Sequence, residues 1–193
     1  MGTSKSTVCA WALGSASELH YHDTEWGMPL HNDRGLFEFL CLEGAQAGLS
    51  WRTVLNKRER YREVFEGFDI AQCSRITDKR IEKLLLDPGI IRNRLKVTSV
   101  RDNAVAALAA IEEFGSLNAL LWSFVDGKPI QNRRRGMGDV PATTTISYSM
   151  SKQLKKRGFR FVGSTICYSM MQATGMVNDH LITCPRYEAC KNP

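Results

Sequence analysis

A chain of 193 residues with 43% apolar content is long enough for one domain or two small lobes around a real core, which excludes disorder as its ordinary state. Its 26 Lys and Arg against 20 Asp and Glu give a net charge of +6, which suits a phosphate-rich partner without demanding one. No apolar run approaches the roughly 20 residues of a bilayer-crossing helix, and no secretory leader is expected, so the cysteines are read as thiols of an intracellular protein, cytoplasmic or nuclear.

Apolar residues recur with helical spacing along most of the chain and strand-like alternation never persists, which predicts an all-α protein. Residues 1–8 are expected as a flexible extension; their start formally matches a myristoylation signal at Gly2 and is read as a chance match or a cloning-derived start. Helices are expected over 34–47, 50–65, 78–86, 95–114, 116–125, 147–157 and 164–174. Ser50, Asp78, Ser116 and Ser164 are suited to cap first turns, while Gly48, Gly115, Gly158 and Gly175 stand where helices should stop. Residues 126–145 read as a long surface loop and 185–193 as a C-terminal tail, leaving a single domain over 9–184 built as two helical lobes.

Four residues at the two ends carry metal chemistry. Cys9 and His22 near the start, with His180 and Cys184 near the finish, make the Cys2His2 set that one tetrahedral zinc ion needs. If they converge, the ion clasps the two ends of the domain and fixes their neighbours Tyr21, Asp23 and Asp179. Four protein ligands close the coordination shell, so the ion is expected to be structural; a metallohydrolase would keep an open position for water.

On the first long helix, positions 36, 40, 43 and 47 share a face and hold Leu36, Leu40, Glu43 and Ala47. A carboxylate in an apolar stripe either meets a partner within the protein or faces a pocket where a ligand supplies one. The small residues around Gly44 and Gly48 then lead to Leu49, which either packs back on the core or projects as a wedge of the kind that enters a base stack. Further on, Asp87-Pro88-Gly89-Ile90-Ile91-Arg92 forms a turn between helices whose free N–H groups, with Arg92, suit a phosphate.

Taken together, Cys9-x-Trp11, Tyr21-His22-Asp23-x-Glu25-Trp26-Gly27, the segment from Cys41-Leu42-Glu43-Gly44 to Gly48-Leu49-Ser50-Trp51, Lys155-Lys156-Arg157-Gly158-Phe159 and Asn178-Asp179-His180 resemble the DNA-3-methyladenine glycosylase I family. The resemblance runs over residues 9–184. It implies a helix-hairpin-helix glycosylase fold with Pro88 and Gly89 at the hairpin, the zinc clasp, and a monomer acting on double-stranded DNA that contains alkylated bases. It also implies that Glu43 recognises the methylated adenine, that Tyr21 and Trp51 enclose it with Trp11 close by, and that Gly48, Leu49, Pro88, Gly89, Ile90 and Arg92 meet the DNA. A 3-methyladenine nucleotide is cationic, so a desolvated carboxylate and aromatic faces favour it over adenine.

The implied reaction is base flipping followed by hydrolysis of the N-glycosidic bond, with Leu49 filling the gap in the stack. Asn93 and Arg94 stand where lyase relatives in the superfamily carry a lysine, which implies a monofunctional enzyme, although Lys96 is close by. Where many of those glycosylases place an Asp to guide water, this chain has Ala109-Ala110-Ile111. Glu18 departs from the family pattern, in which an aromatic residue is expected three positions before Tyr21. The competing reading is a non-enzymatic helix-hairpin-helix DNA-binding module served by the basic segment 152–160. Cys41 and Cys167 are expected in the core.

Overall fold

The computed structural model describes residues 7–191. Most of the extension expected over 1–8, including Gly2, lies outside the described residues; Thr7, within them, donates its backbone N–H to Thr183 O at 3.0 Å.

Eleven α-helices are found among the described residues. Helix α1 (Ala16–Thr24) was not expected, because its buried side chains are Glu18, Tyr21 and His22 and it has no apolar stripe to read. Helix α2 (Asp33–Gln46) is capped by Asn32, whose side chain accepts from Gly35 N–H, and it buries ten consecutive residues from Leu36 to Ala45. Such a helix is covered on every side. The single helix expected over 50–65 is two, α3 (Trp51–Leu55) and α4 (Arg58–Val64). The break after Leu55 lets Arg58 turn inward, where it is 5% exposed and pairs with Glu38 at 2.5 Å and Glu25 at 2.7 Å.

After the short α5 (Ile70–Ser74) come α6 (Asp78–Leu84) and the longest helix, α7 (Arg94–Phe114), joined by the expected Pro-Gly hairpin. Val97, Val100, Ala104 and Ala107 of α7 are buried at the three- and four-residue spacing of one helix face. Helix α8 (Leu117–Trp122) follows, then α9 (Thr145–Lys156), α10 (Ser164–Ala173) and α11 (Arg186–Lys191). Ser50 and Ser116 cap as expected, whereas the caps at the other two starts are Thr77 and Gly163, each one residue earlier. All four anticipated stop glycines, Gly48, Gly115, Gly158 and Gly175, have positive φ.

Two further stretches differ from the sequence reading. The 126–145 loop carries β1 (Ile130–Gln131), paired in parallel with β2 (Val177–Asn178), Ile130 opposite Val177. Residues 185–193, expected as a tail, contain α11, with Tyr187 and Cys190 buried and Asn178 Nδ2 donating to Tyr187 O. Helix α2 is the shared wall: α7 and α8 pack on it from the middle of the chain, and α10 from the end. Gly175, just past α10, lets the chain pass close to the segment leading into α2, because a Cβ there would fall 2.4 Å from the main chain of Met28 and Pro29. Among the described residues no single helix is long and apolar enough to cross a membrane.

Candidate functional site

The short helical turn Ala10–Gly14 follows Cys9, α1 ends just past His22, and the chain leaving β2 supplies His180 and Cys184. These four buried residues offer ligand atoms within 4.8 Å of one another. Cys9 Sγ lies 3.8 Å from His180 Nδ1, and Cys184 Sγ lies 3.5 Å from His22 Nε2 and 3.7 Å from His180 Nδ1. Metal–sulfur bonds of ~2.3 Å and metal–nitrogen bonds of ~2.05 Å at tetrahedral angles require sulfur–nitrogen edges of about 3.6 Å, so the donor set fits one four-coordinate ion.

The remaining ring nitrogens are held as well. His22 Nδ1 is 2.7 Å from Asp23, and His180 Nε2 is 3.0 Å from the Trp26 carbonyl oxygen. Such outer partners fix which nitrogen would face a metal. Hydrogen bonds from Cys9 and the two histidines hold the Cys184 thiol far below its ordinary pKa, while Cys184 and burial push Cys9 up; a dication between the two sulfurs would displace their remaining proton.

Beside the clasp is a cavity of about 290 Å³. Trp11, Tyr21, Trp26 and Trp51 form its aromatic side, with Trp11 and Trp26 rings 5.0 Å apart and Tyr21 and Trp51 rings 5.3 Å apart. Trp26 also lies edge-on to His180 at 4.6 Å, so one indole belongs to both clasp and cavity. Glu43 and Gln46 face the cavity from α2, and Met137 and Val140 reach it from the 126–145 loop.

Three buried polar atoms on this wall have no hydrogen-bond partner: Tyr21 Oη, Glu43 Oε2 and Trp51 Nε1. Each such group costs about 1–3 kcal/mol, a cost that a matching ligand removes. Glu43 is 3% exposed, and burial alone pushes its pKa up to about 8. Of the two alternatives left open by the helical pattern, the carboxyl faces the pocket. Burial and the nearby Glu43 also raise Tyr21 well above the usual phenol value.

The opposite wall is fully satisfied. Asp179 accepts from Asn132 Nδ2, Arg134 Nε, Tyr168 Oη and Gln172 Nε2 at 2.8, 2.9, 2.5 and 2.8 Å. Glu18, where an aromatic residue was expected, also lines the cavity and pairs with Arg52 at 2.9 Å.

Trp11, Tyr21, Glu43 and Trp51 therefore meet around one cavity, while the other expected contacts lie outside it. Leu49 is 41% exposed in the turn where Gly48 has φ +75°, so it projects rather than packing back. At the hairpin, Gly89 N–H bonds Asp87, Pro88 O accepts from Lys57 at 2.7 Å, and Arg92 is exposed. Ile90 is 2% exposed, so its side chain belongs to the core; its N–H donates to Asp87 O at 3.4 Å and Ile91 N–H to Tyr61 Oη at 3.2 Å, so the N–H groups expected to be free in this turn are engaged within the protein. Sequence reasoning did not single out Trp26, Gln46 or Met137 for the site, and it noted Asp179 only as a neighbour of the clasp. Trp26, Gln46 and Asp179 sit within the recurrent segments, but Met137 carries no local signal, because tertiary pairing of the loop alone brings it there.

A flat ring with positive charge suits this enclosure: aromatic faces, one carboxyl without a counter-ion, and two unpaired donors. The methyladenine glycosylase family model matches residues 11–187 of the chain. DNA-3-methyladenine glycosylase 1 of Escherichia coli (strain K12) is 44% identical over 183 residues, 95% of this chain and 98% of that protein. A crystal structure of 3-methyladenine DNA glycosylase I superposes with a TM-score of 0.89 at 47% identity, over 93% of this chain and 98% of the other. The Staphylococcus aureus 3-methyladenine DNA glycosylase I, solved for the structural basis of 3-methyladenine recognition, gives a TM-score of 0.91 at 34% identity, over 94% and 96% of the two chains.

Proposed function

The chain belongs to the methyladenine glycosylase family, and from that membership we propose how its residues divide the work. The protein is a DNA repair glycosylase that hydrolyses the N-glycosidic bond of 3-methyladenine in DNA. Glu43 supplies the negative partner for the cationic base. In the free protein its carboxyl is held neutral by burial, and the arriving positive charge draws off the proton. Tyr21 and Trp51 enclose the ring and offer their unpaired O–H and N–H, with Trp11 and Trp26 completing the aromatic wall. Uncharged adenine gains nothing from the ionised carboxylate, so selectivity follows charge as well as shape.

The same charge weakens the bond to be broken, because the base departs neutral and needs no strong general acid. The residues contribute position and electrostatics while water attacks the oxocarbenium-like sugar. On double-stranded DNA, Leu49 fills the gap left by the flipped nucleotide and Gly48 permits its turn. The turn at Pro88, Gly89 and Ile90 meets the DNA backbone, and the exposed Arg92 beside it supplies the positive charge for a phosphate. Hydrolysis proceeds without a lyase step, since Asn93 and Arg94 follow the hairpin, and a monomer suffices. Its place is with the DNA, at a bacterial nucleoid in the cytoplasm or in a nucleus.

Cys9, His22, His180 and Cys184 hold one zinc ion, whose closed shell gives it a structural part in fixing α1 and Trp26 against the end of the chain. Metal analysis should find one zinc per active chain, and chelation should lower the melting temperature; active protein free of zinc refutes the clasp.

The observation that carries the reading is the unpartnered Glu43 carboxyl inside an aromatic cavity. Incubation with methylated DNA and identification of the released base tests it. Release of 3-methyladenine is expected, and release of 7-methylguanine alone, or of nothing, overturns it.

A further inference from the structure

Lys96 stands in the first turn of α7, three residues beyond the Asn93 cap that ends the hairpin, and Asn93 Oδ1 accepts its backbone N–H. Its ammonium crosses to the end of α2 and donates to two carbonyl oxygens, Ala45 at 2.9 Å and Ala47 at 2.6 Å. Those carbonyls bracket Gln46, which faces the cavity, and they lie between Glu43 and the Leu49 turn. A cation at this position satisfies acceptors left over at a helix C-terminus and complements its dipole. Desolvation lowers the amine's pKa, as expected for a group drawn partly out of solvent.

The main chain at Gly48 takes φ +75° and Leu49 is held there only by its N–H to Gln46 O at 2.6 Å. Nothing else described ties this turn to the helix that follows the hairpin so directly. Building on the glycosylase reading, we propose that Lys96 is a positioning residue that couples the hairpin's hold on the DNA backbone to the Leu49 wedge, setting the wedge at a fixed distance from the captured phosphate. Its amine is committed to the α2 carbonyls, so it acts on strand opening and not on the sugar.

This role matters only where a base must be drawn from a duplex, because an unpaired base leaves no stack for Leu49 to fill. The test is single-turnover release of 3-methyladenine from methylated duplex and methylated single-stranded DNA by wild type, Lys96→Met, Lys96→Arg, Leu49→Ala and the Lys96→Met/Leu49→Ala pair. Loss of two charge-assisted hydrogen bonds predicts a slowing of about tenfold or more by Lys96→Met on duplex. The single-strand rate should change less than about threefold, and the double variant should be no slower than Leu49→Ala, because coupled sites are not additive. Lys96→Arg, which keeps donors toward both carbonyls, should recover most of the duplex rate. Equal slowing on both substrates, or additive losses in the double variant, would overturn the proposal. Wild-type protein that releases no 3-methyladenine from either substrate would instead sink the underlying activity.

Discussion

Glu43 and Asp179 line the same cavity and are almost equally buried, at 3% and 2% exposure. Asp179 is surrounded by four donors, one of them the guanidinium of Arg134, whereas Glu43 has an oxygen with no partner. Burying a carboxylate is costly without compensation, so the two sites balance that cost differently. Around Asp179 the protein supplies the compensation and gains rigidity. Around Glu43 it withholds it, leaving a buried carboxyl that favours its protonated form. The two walls are thus a fixed one, which joins the loop, α10 and β2, and a receptive one on α2.

The sharpest test exchanges each acid for its amide. Glu43→Gln keeps shape but cannot carry the charge, so base release should fall by about 10²- to 10³-fold with DNA affinity largely retained, read by single-turnover kinetics beside a binding titration. An effect of comparable free energy but in a different quantity is expected across the cavity. Asp179→Asn leaves Arg134 without its counter-charge and should reduce unfolding free energy by about 3 kcal/mol, read from the denaturant midpoint. If Asp179→Asn instead lost rate with unchanged stability, the distinction between the walls would collapse.

The smallest effect is on pH dependence. The folded-state pKa of Glu43, about 8, lies above that of an unfolded carboxyl, so folding favours the protonated form. The stability this contributes is complete below the unfolded value near pH 4 and is lost as pH rises through the folded one. Between pH 6 and 8 wild type should lose about 2 kcal/mol relative to Glu43→Gln, the difference cancelling all other groups. A difference that stays flat across that window would mean the carboxyl is already ionised in the free protein.

Much of the receptive wall was legible because its residues are local. Glu43 interrupts a helical stripe, and Tyr21 and Trp51 stand in dense, distinctive segments, so a pattern over a few residues marks them. The fixed wall was not legible in this way. Asn132, Arg134 and Tyr168 reach Asp179 across 47, 45 and 11 residues, and no periodicity encodes such a meeting. For the same reason the 126–145 segment read as a loop: its two-residue strand exists only through its partner. Helix α1 was missed because function has filled its inward face with Glu18, Tyr21 and His22 in place of the aliphatic residues that announce a helix. The single long helix expected over 50–65 failed at the point where Arg58 turns inward to two distant carboxylates.

The distance in sequence between the two halves of the Cys2His2 group bears on the order of events in a cell. Cys9 and His180 are 171 positions apart, so a ribosome adding roughly 5–20 residues per second presents the second half of the ligand set some 10–30 s after the first. Until then the emerging chain holds only half a coordination sphere, and Trp26 has no His180 to rest against. Capture of an ion by all four residues would therefore come after translation has delivered Cys184, and it would close a loop of nearly the whole protein, the costliest kind to close by chance. A product truncated before His180 lacks half of this donor set and the ring that rests edge-on to Trp26.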